Sequence, residues 1–177
     1  MIMFSPECVK DLNFLMNYLN KIGYQYKANS CDFKADNEIG ISAFLSWEEV
    51  ERYEYSDKIR NHIVNNQGKV IYIMIPEPIR KGATLATLTD LVEFEKQTVA
   101  VIDKFIISAM NRKAITTQSF LMQLRHMCQH QYNEVNGIVS DIAKIIKDPG
   151  AMESYNRFLR KKFGESNKYD NPGKKHY

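Results

Sequence analysis

From Leu88 to Ala109 one side of the chain recurs at alternating steps of four and three: Leu88, Val92, Glu95, Val99, Ile102, Ile106 and Ala109. That spacing predicts a helix whose inner edge faces a bundle core. Glu95 is the single charge in an otherwise apolar seam. A carboxylate there is costly unless a metal ion or a cationic side chain pairs with it. The identity of that partner separates a metal-handling bundle from one that has given up metal.

The same pattern organises the rest of the chain. Ser5-Pro6, a capping residue followed by proline at the first helical position, predicts a first helix. Its inward stripe is Val9, Leu12, Leu15 or Met16, Leu19, Ile22 and Tyr26, fading by about Asp32. After a short connection near 37–40, a second helix carries Ile41, Phe44, Leu45, Glu48, Arg52, Tyr55, Ile59 and Ile63 on one side and ends at 65–68. Thr87-Leu88-Thr89-Asp90 has the form of a capping box with Asp in place of Glu, so the third helix is expected from Thr87. Thr116 or Thr117 opens a fourth, with Leu121, Leu124, Cys128, Gln131, Val135, Ile138, Ile142 and Ile145 as its seam. Asp148-Pro149 caps a fifth helix of about four turns, to Phe163. The expected class is all-α: a four-helix bundle plus fifth helix over residues 1–163, then a polar, basic tail of disordered character over 164–177.

The segment between the second and third helices differs from the rest. Residues 69–75 are extended in character and rich in β-branched side chains, and Pro76-Glu77-Pro78 follows. A connection of about 20 residues inside a compact domain is unusual and normally functional. It can run the length of a bundle, so the second and third helices would lie parallel, joined by a crossover between two hairpins. Its apolar residues, Val70, Ile71, Ile73 and Ile75, need a covering surface that a second subunit can supply, and Phe158 and Leu159 offer a further apolar side on the fifth helix. An isologous two-fold dimer is expected.

Composition excludes several classes. With 44% hydrophobic and 25% charged residues, 8 Gly and 5 Pro, the chain suits a soluble, helix-rich globule. No run approaches the roughly 18–20 apolar residues of a membrane span. The start lacks the basic and apolar stretches of a secretory signal. Cys8, Cys31 and Cys128 are widely spaced and odd in number, which points to reduced thiols in a cytoplasm. A net charge of +3 is too slight to imply nucleic acid.

Taken in order, Leu12-Asn13, Tyr26, Ala43-Phe44-Leu45, the Gly68 to Pro76 crossover, Glu95, Phe120-Leu121 and the Asp148-Pro149 fifth helix resemble the non-haem bacterial ferritins, over residues 6 to 163. The resemblance implies an iron-storage cage of twenty-four subunits. In that family a dinuclear iron site inside each bundle oxidises Fe(II), and the mineral collects in the cavity. It also implies a ligand set: Glu on the first helix, Glu-x-x-His on the second, Glu on the third and Gln or Glu positions on the fourth. Here those positions hold Leu19, then Arg52 and Tyr55, then Glu95, then Cys128 and Gln131. One carboxylate survives, and a cation stands where a metal-bridging Glu belongs.

A bidentate Arg52–Glu95 pair is therefore expected in place of metal, with Tyr26, Tyr55 and Gln131 satisfying the remaining guanidinium donors. The resemblance carries a precedent, since light-type subunits of animal ferritins also replace the ferroxidase ligands with a basic residue and a salt bridge. The expected function is an iron-storage or cage-forming subunit without a ferroxidase centre of its own. No cofactor is expected in the bundle core, iron enters only as stored mineral, and an active sister subunit can co-assemble.

Other candidates read more plainly. His126 and His130 are spaced to share a metal on one helix face, with Glu134 a step further on, but a solvated polar face accounts for them. Glu48, Glu49, Glu51 and Glu54 concentrate acid on the second helix, with Glu51 the weak metal candidate, and read as its wet side. Cys128 in the seam reads as a small buried hydrophobe. Arg157, Arg160, Lys161, Lys162 and tail lysines 168, 174 and 175 make a basic end. The alternative function is a ferritin-fold scaffold that no longer handles iron and touches nucleic acid through that end, although nucleic acid is not the expected partner.

Overall fold

In the computed structural model, residues 5–80, 82 and 84–164 are described. They form α1 (Pro6–Ala35), α2 (Ile39–Asn65), α3 (Thr84–Asn111), α4 (Ile115–Ile145) and α5 (Pro149–Leu159), closed by a π-helical turn, Arg160–Gly164. Residues 165–177 of the expected tail, with its lysines 168, 174 and 175, lie outside the described residues. Among the described residues no helix is long and apolar enough to cross a membrane.

Three boundaries depart from the sequence reading. α1 runs on to Ala35 because Phe33 is buried in the core. α3 begins at Thr84 rather than Thr87, so the Thr87–Asp90 pattern lies inside the helix. The extra turn carries Leu85 onto the core, and Thr89 donates back to the Leu85 carbonyl instead of capping. α4 begins at Ile115, and Thr117 is a buried helical residue. Asp148 does cap α5, accepting from the Gly150 and Ala151 amides.

Three helix ends share one device. Asn37, Gln67 and Lys113 adopt positive φ of 62°, 61° and 58°. The next amide in each case reaches back to the carbonyl of a buried residue, Glu38 to Phe33, Gly68 to Ile63 and Ala114 to Ala109. This is the Schellman closure that glycine usually serves. The stops near Asn37 and Gln67 agree with the connections read at 37–40 and 65–68, whereas Lys113 carries no such signal.

Cross-helix bonds set the directions. Tyr26 of α1 meets Glu95 of α3, and Asp11, earlier in α1, meets Ser108, later in α3, so the two helices run antiparallel. Arg125 of α4 pairs with Asp103 of α3. Between α2 and α3 the crossover climbs along α1 in the direction of that helix, and α2 and α3 are parallel. Among the described residues no strand pairs with it. Instead three buried α1 amides hold its backbone. Asn13 donates to the Lys69 carbonyl and accepts from the Ile71 amide. Asn17 does the same for Ile71 and Ile73, and Gln25 binds both polar groups of Ile79. Each primary amide mimics a strand partner, having one acceptor and two donors.

The core divides into two apolar clusters. One joins Ile22, Tyr26, Phe33, Phe44, Leu88, Leu91, Val135 and Ile142 with Leu159 and Phe163 beneath α5. The other joins Leu12, Leu15, Met16, Leu19, Tyr55, Ile59, Ile102, Leu124 and Cys128. Leu159 is thus buried in its own subunit, while Phe158 beside it is 53% exposed, so the two do not form one outward face.

α5 docks against the start of α2, where Asn156 accepts from the Gly40 and Ile41 amides and donates to Glu38. The approach is so close that a Cβ on Gly40 would lie 1.8 Å from the Asn156 carbonyl oxygen. Gly40→Ala is expected to cost about 1–3 kcal/mol or more by overpacking, because rigid backbone is what it strikes. A drop in thermal midpoint accompanied by faster proteolysis of α5 checks it, and an unchanged midpoint contradicts it.

Candidate functional site

Between the two apolar clusters lies a layer of charge. Glu48 and Arg52 sit one turn apart on α2, with Glu95 facing them from α3, and all three are fully buried. Arg52 Nη2 donates to Glu48 Oε2 at 2.9 Å, and Nη1 stands 3.0 Å from Glu95 Oε2. That second contact is an ion pair without hydrogen-bond alignment. Arg52 Nη1 and Nε and Glu95 Oε2 have no hydrogen-bond partner among the protein atoms. Tyr26 donates its hydroxyl to Glu95 Oε1 at 2.9 Å. Gln131 of α4 presents its amide nitrogen to Glu48 at 3.3 and 3.5 Å. The Arg52 guanidinium carbon lies 5.3 Å from the centre of the Tyr55 ring.

The Arg52–Glu95 contact expected from the sequence is present, but three details differ. The pairing is not bidentate: one guanidinium is split between two carboxylates. Glu48, which the period places on the inner stripe of α2 and the acidic cluster on its wet side, is fully buried. Tyr26 and Gln131 serve the carboxylates, and Tyr55 offers its ring face, so none accepts from the guanidinium. The physical reason is supply. A single carboxylate cannot satisfy five N–H donors, and a helical neighbour four residues away is the nearest second acceptor. The i, i+4 spacing of Glu48 and Arg52 was the available signal.

Two carboxylates and one cation leave an unbalanced negative charge in a medium that penalises it. Burial pushes the Glu48 carboxyl up to about 8, against the pull of Arg52 and with added repulsion from Glu95. Burial also raises Glu95, which Arg52 and the Tyr26 hydroxyl oppose. Burial works against the Arg52 charge, but Glu95 and Glu48 outweigh it and hold the guanidinium firmly cationic. Cys128 is fully buried in the second cluster, and burial pushes its thiol up to about 12. Burial thus opposes ionisation of both carboxyls at once, and Arg52 is the cation that offsets it in this layer.

The six positions that the family resemblance singles out do converge here. Arg52, Glu95 and Gln131 belong to the charged layer, and Leu19, Tyr55 and Cys128 line the apolar cluster against it. The surface candidates do not converge. His126 and His130 are exposed, and Glu134 is engaged with Lys162 at 2.8 Å. Glu51 lies against the Tyr55 hydroxyl. Among the described residues no group of three or more His, Cys, Asp and Glu side chains is arranged to hold a metal ion. Sequence reasoning also missed His62, which stacks on Phe120 with ring centres 4.2 Å apart.

No protein-family model matches the sequence, and no curated protein matches it. Solved structures do match in shape. An open-pore ferritin from the hyperthermophilic archaeon Archaeoglobus fulgidus superposes with a TM-score of 0.86 at 21% identity, covering 90% of this chain and 98% of that one. A humanized archaeal ferritin gives 0.85 at 20% identity, covering 88% and 95%. A PmFTN variant soaked in iron gives 0.81 at 14% identity, covering 86% and 98%. With four helices, a long crossover along α1 and a docked fifth helix, this chain has the ferritin-like fold.

Proposed function

We propose that the chain is a ferritin-like subunit that builds an iron-storage cage without a diiron ferroxidase centre of its own. The observation that carries this reading is Arg52, a fully buried guanidinium within 3.0 Å of both Glu48 and Glu95. The residues around it do not fit a pair of irons. Hard Fe(III) calls for a cluster of carboxylates with one or two imidazoles. This layer has two carboxylates, already shared by one cation, and apolar, phenolic and thiol side chains at Leu19, Tyr55 and Cys128. No step of iron oxidation is assigned to it, and iron is cargo oxidised elsewhere, in one arrangement by a co-assembled active subunit.

Assembly has its own support. The crossover leaves Ile71, Tyr72, Ile73 and Met74 exposed, Met74 at 92%, and Ile71, Ile73 and Met74 line one concavity with Phe14 of α1. That continuous apolar face suits a self-complementary two-fold contact, from which a larger shell can close. The three free cysteines suit a reducing cytoplasm. The scaffold alternative loses ground at the basic end, where Lys162 and Arg157 are taken up by Glu134 and Glu153.

Two measurements test the proposal. Purified protein is expected to oxidise Fe(II) no faster than buffer. Rapid oxygen uptake saturating near two Fe(II) per subunit, the load of a dinuclear centre, overturns the ferroxidase part. Light scattering is expected to give many multiples of 20.6 kDa. A monomer ends the cage reading.

A further inference from the structure

A concavity of about 420 Å³ lies where the π-helical turn folds onto the start of α2. It is walled by Arg157, Arg160 and Lys161 and floored by Ile39, Ala43 and Gly164. Arg157, Arg160 and Lys161 are spaced i, i+3 and i+4, which brings like charges to one face at a cost in stability. Nearby cations are neutralised: Lys162 by Glu134, Lys144 by Asp141 and Arg157 by Glu153. Arg160 and Lys161 have no acidic partner among the described residues. Lys162, the next residue, turns away to Glu134 and the Phe163 ring, so the π turn separates one spent cation from two unspent ones. Such turns recur at functional sites.

Two further features favour an anion. The concavity opens at the positive end of a 27-residue helix, whose macrodipole adds to Arg160 and Lys161. The Glu38 carboxylate beside it is held by Asn156 and is not among the lining groups. The apolar floor excludes water from one side and strengthens the attraction. We infer that this concavity is an oxyanion site for a phosphoryl group, either free phosphate or the terminal phosphate of a small phosphomonoester. Arg160 presents a planar fork that matches phosphate oxygens, and Lys161 adds a point charge, while Arg157 on the wall is already paired with Glu153. The inference does not depend on iron being the cargo.

The full chain is to be titrated calorimetrically with inorganic phosphate and, separately, with phenyl phosphate, at ionic strength held constant with chloride. Saturable binding is expected with phosphate. Equal affinity for both probes assigns the site to any phosphoryl group, and phosphate alone assigns it to the free ion. Arg160→Gln with Lys161→Gln is expected to weaken binding by about tenfold or more, the equivalent of about 1.4 kcal/mol. Both side chains are exposed, so the variant keeps its fold, which its circular dichroism checks. Gly164→Asp, which sets a carboxylate on the floor, is expected to weaken binding independently, and Lys147→Gln, away from the concavity, to leave it unchanged. No saturable binding with either probe, or equal affinity in the double variant, overturns the inference.

Discussion

Arg52→Ala is expected to destabilise the bundle by about 3–5 kcal/mol, the usual cost of removing one partner from a buried ion pair. Arg52 is the largest fully buried side chain, so a cavity adds to the electrostatic loss. The variant leaves Glu48 and Glu95 facing one another without a cation. Both carboxyls must then stay protonated, and stability should fall more steeply with rising pH than in the wild type. Glu95→Ala should cost less, because Glu48 remains 2.9 Å from Nη2 and can ionise in its place. Arg52→Met combined with Glu48→Leu and Glu95→Leu should recover most of the loss, since a buried charge cluster exchanged for apolar side chains of similar volume is often neutral. A residual of about 1–3 kcal/mol is expected from the Tyr26 hydroxyl, which loses its acceptor. Denaturant midpoints of the four proteins check the order. An Arg52→Ala protein as stable as wild type would refute the ion layer.

The second large effect is a loss of stability from acid to mildly alkaline pH. In the folded chain Glu48 holds its proton up to about 8, whereas the unfolded carboxyl releases it near 4.5. Between those values the folded state binds the extra proton, so this stabilisation is complete below about 4.5 and is lost as pH climbs through about 8. The raised Glu95 carboxyl acts in the same direction. The combined change is on the order of a few kcal/mol. Glu48→Gln keeps the shape, carries no charge and should flatten the profile. Urea midpoints across that window read the difference directly. A wild-type profile already flat between pH 5 and 8, roughly, would mean that Glu48 is ionised in the folded state.

Much of the fold was legible because bundle helices advertise themselves by period. The seams of Leu12 to Tyr26, Ile41 to Ile63 and Leu121 to Ile142 reappear as buried stripes, since apolar spacing at 3.6 residues per turn is itself the driving force for packing. Cap chemistry was legible where it is local, as at Asp148. It misled at Thr87, because packing of Leu85 extended the helix past a plausible cap. It was silent at Lys113, where the buried Ala109 closes the turn and no glycine or asparagine marks it.

What the sequence determined by itself was a bundle with a charge in its third seam and an arginine opposite. Both facts follow from periodicity, which is encoded within each helix. The partnering of those charges was decided only in three dimensions. Period placed Glu48 on the inner stripe of α2 while its acidic neighbours read as wet, and the convergence of α1, α3 and α4 on that side of α2 removes it from water and raises its carboxyl. The buried amides Asn13, Asn17 and Gln25 tell the same story, for they look like faults in an apolar stripe until the crossover arrives to bond them. The concavity at Arg160 and Lys161 joins residues more than a hundred positions apart. Contacts between helices depend on how separate stripes meet, and no single stripe contains that information.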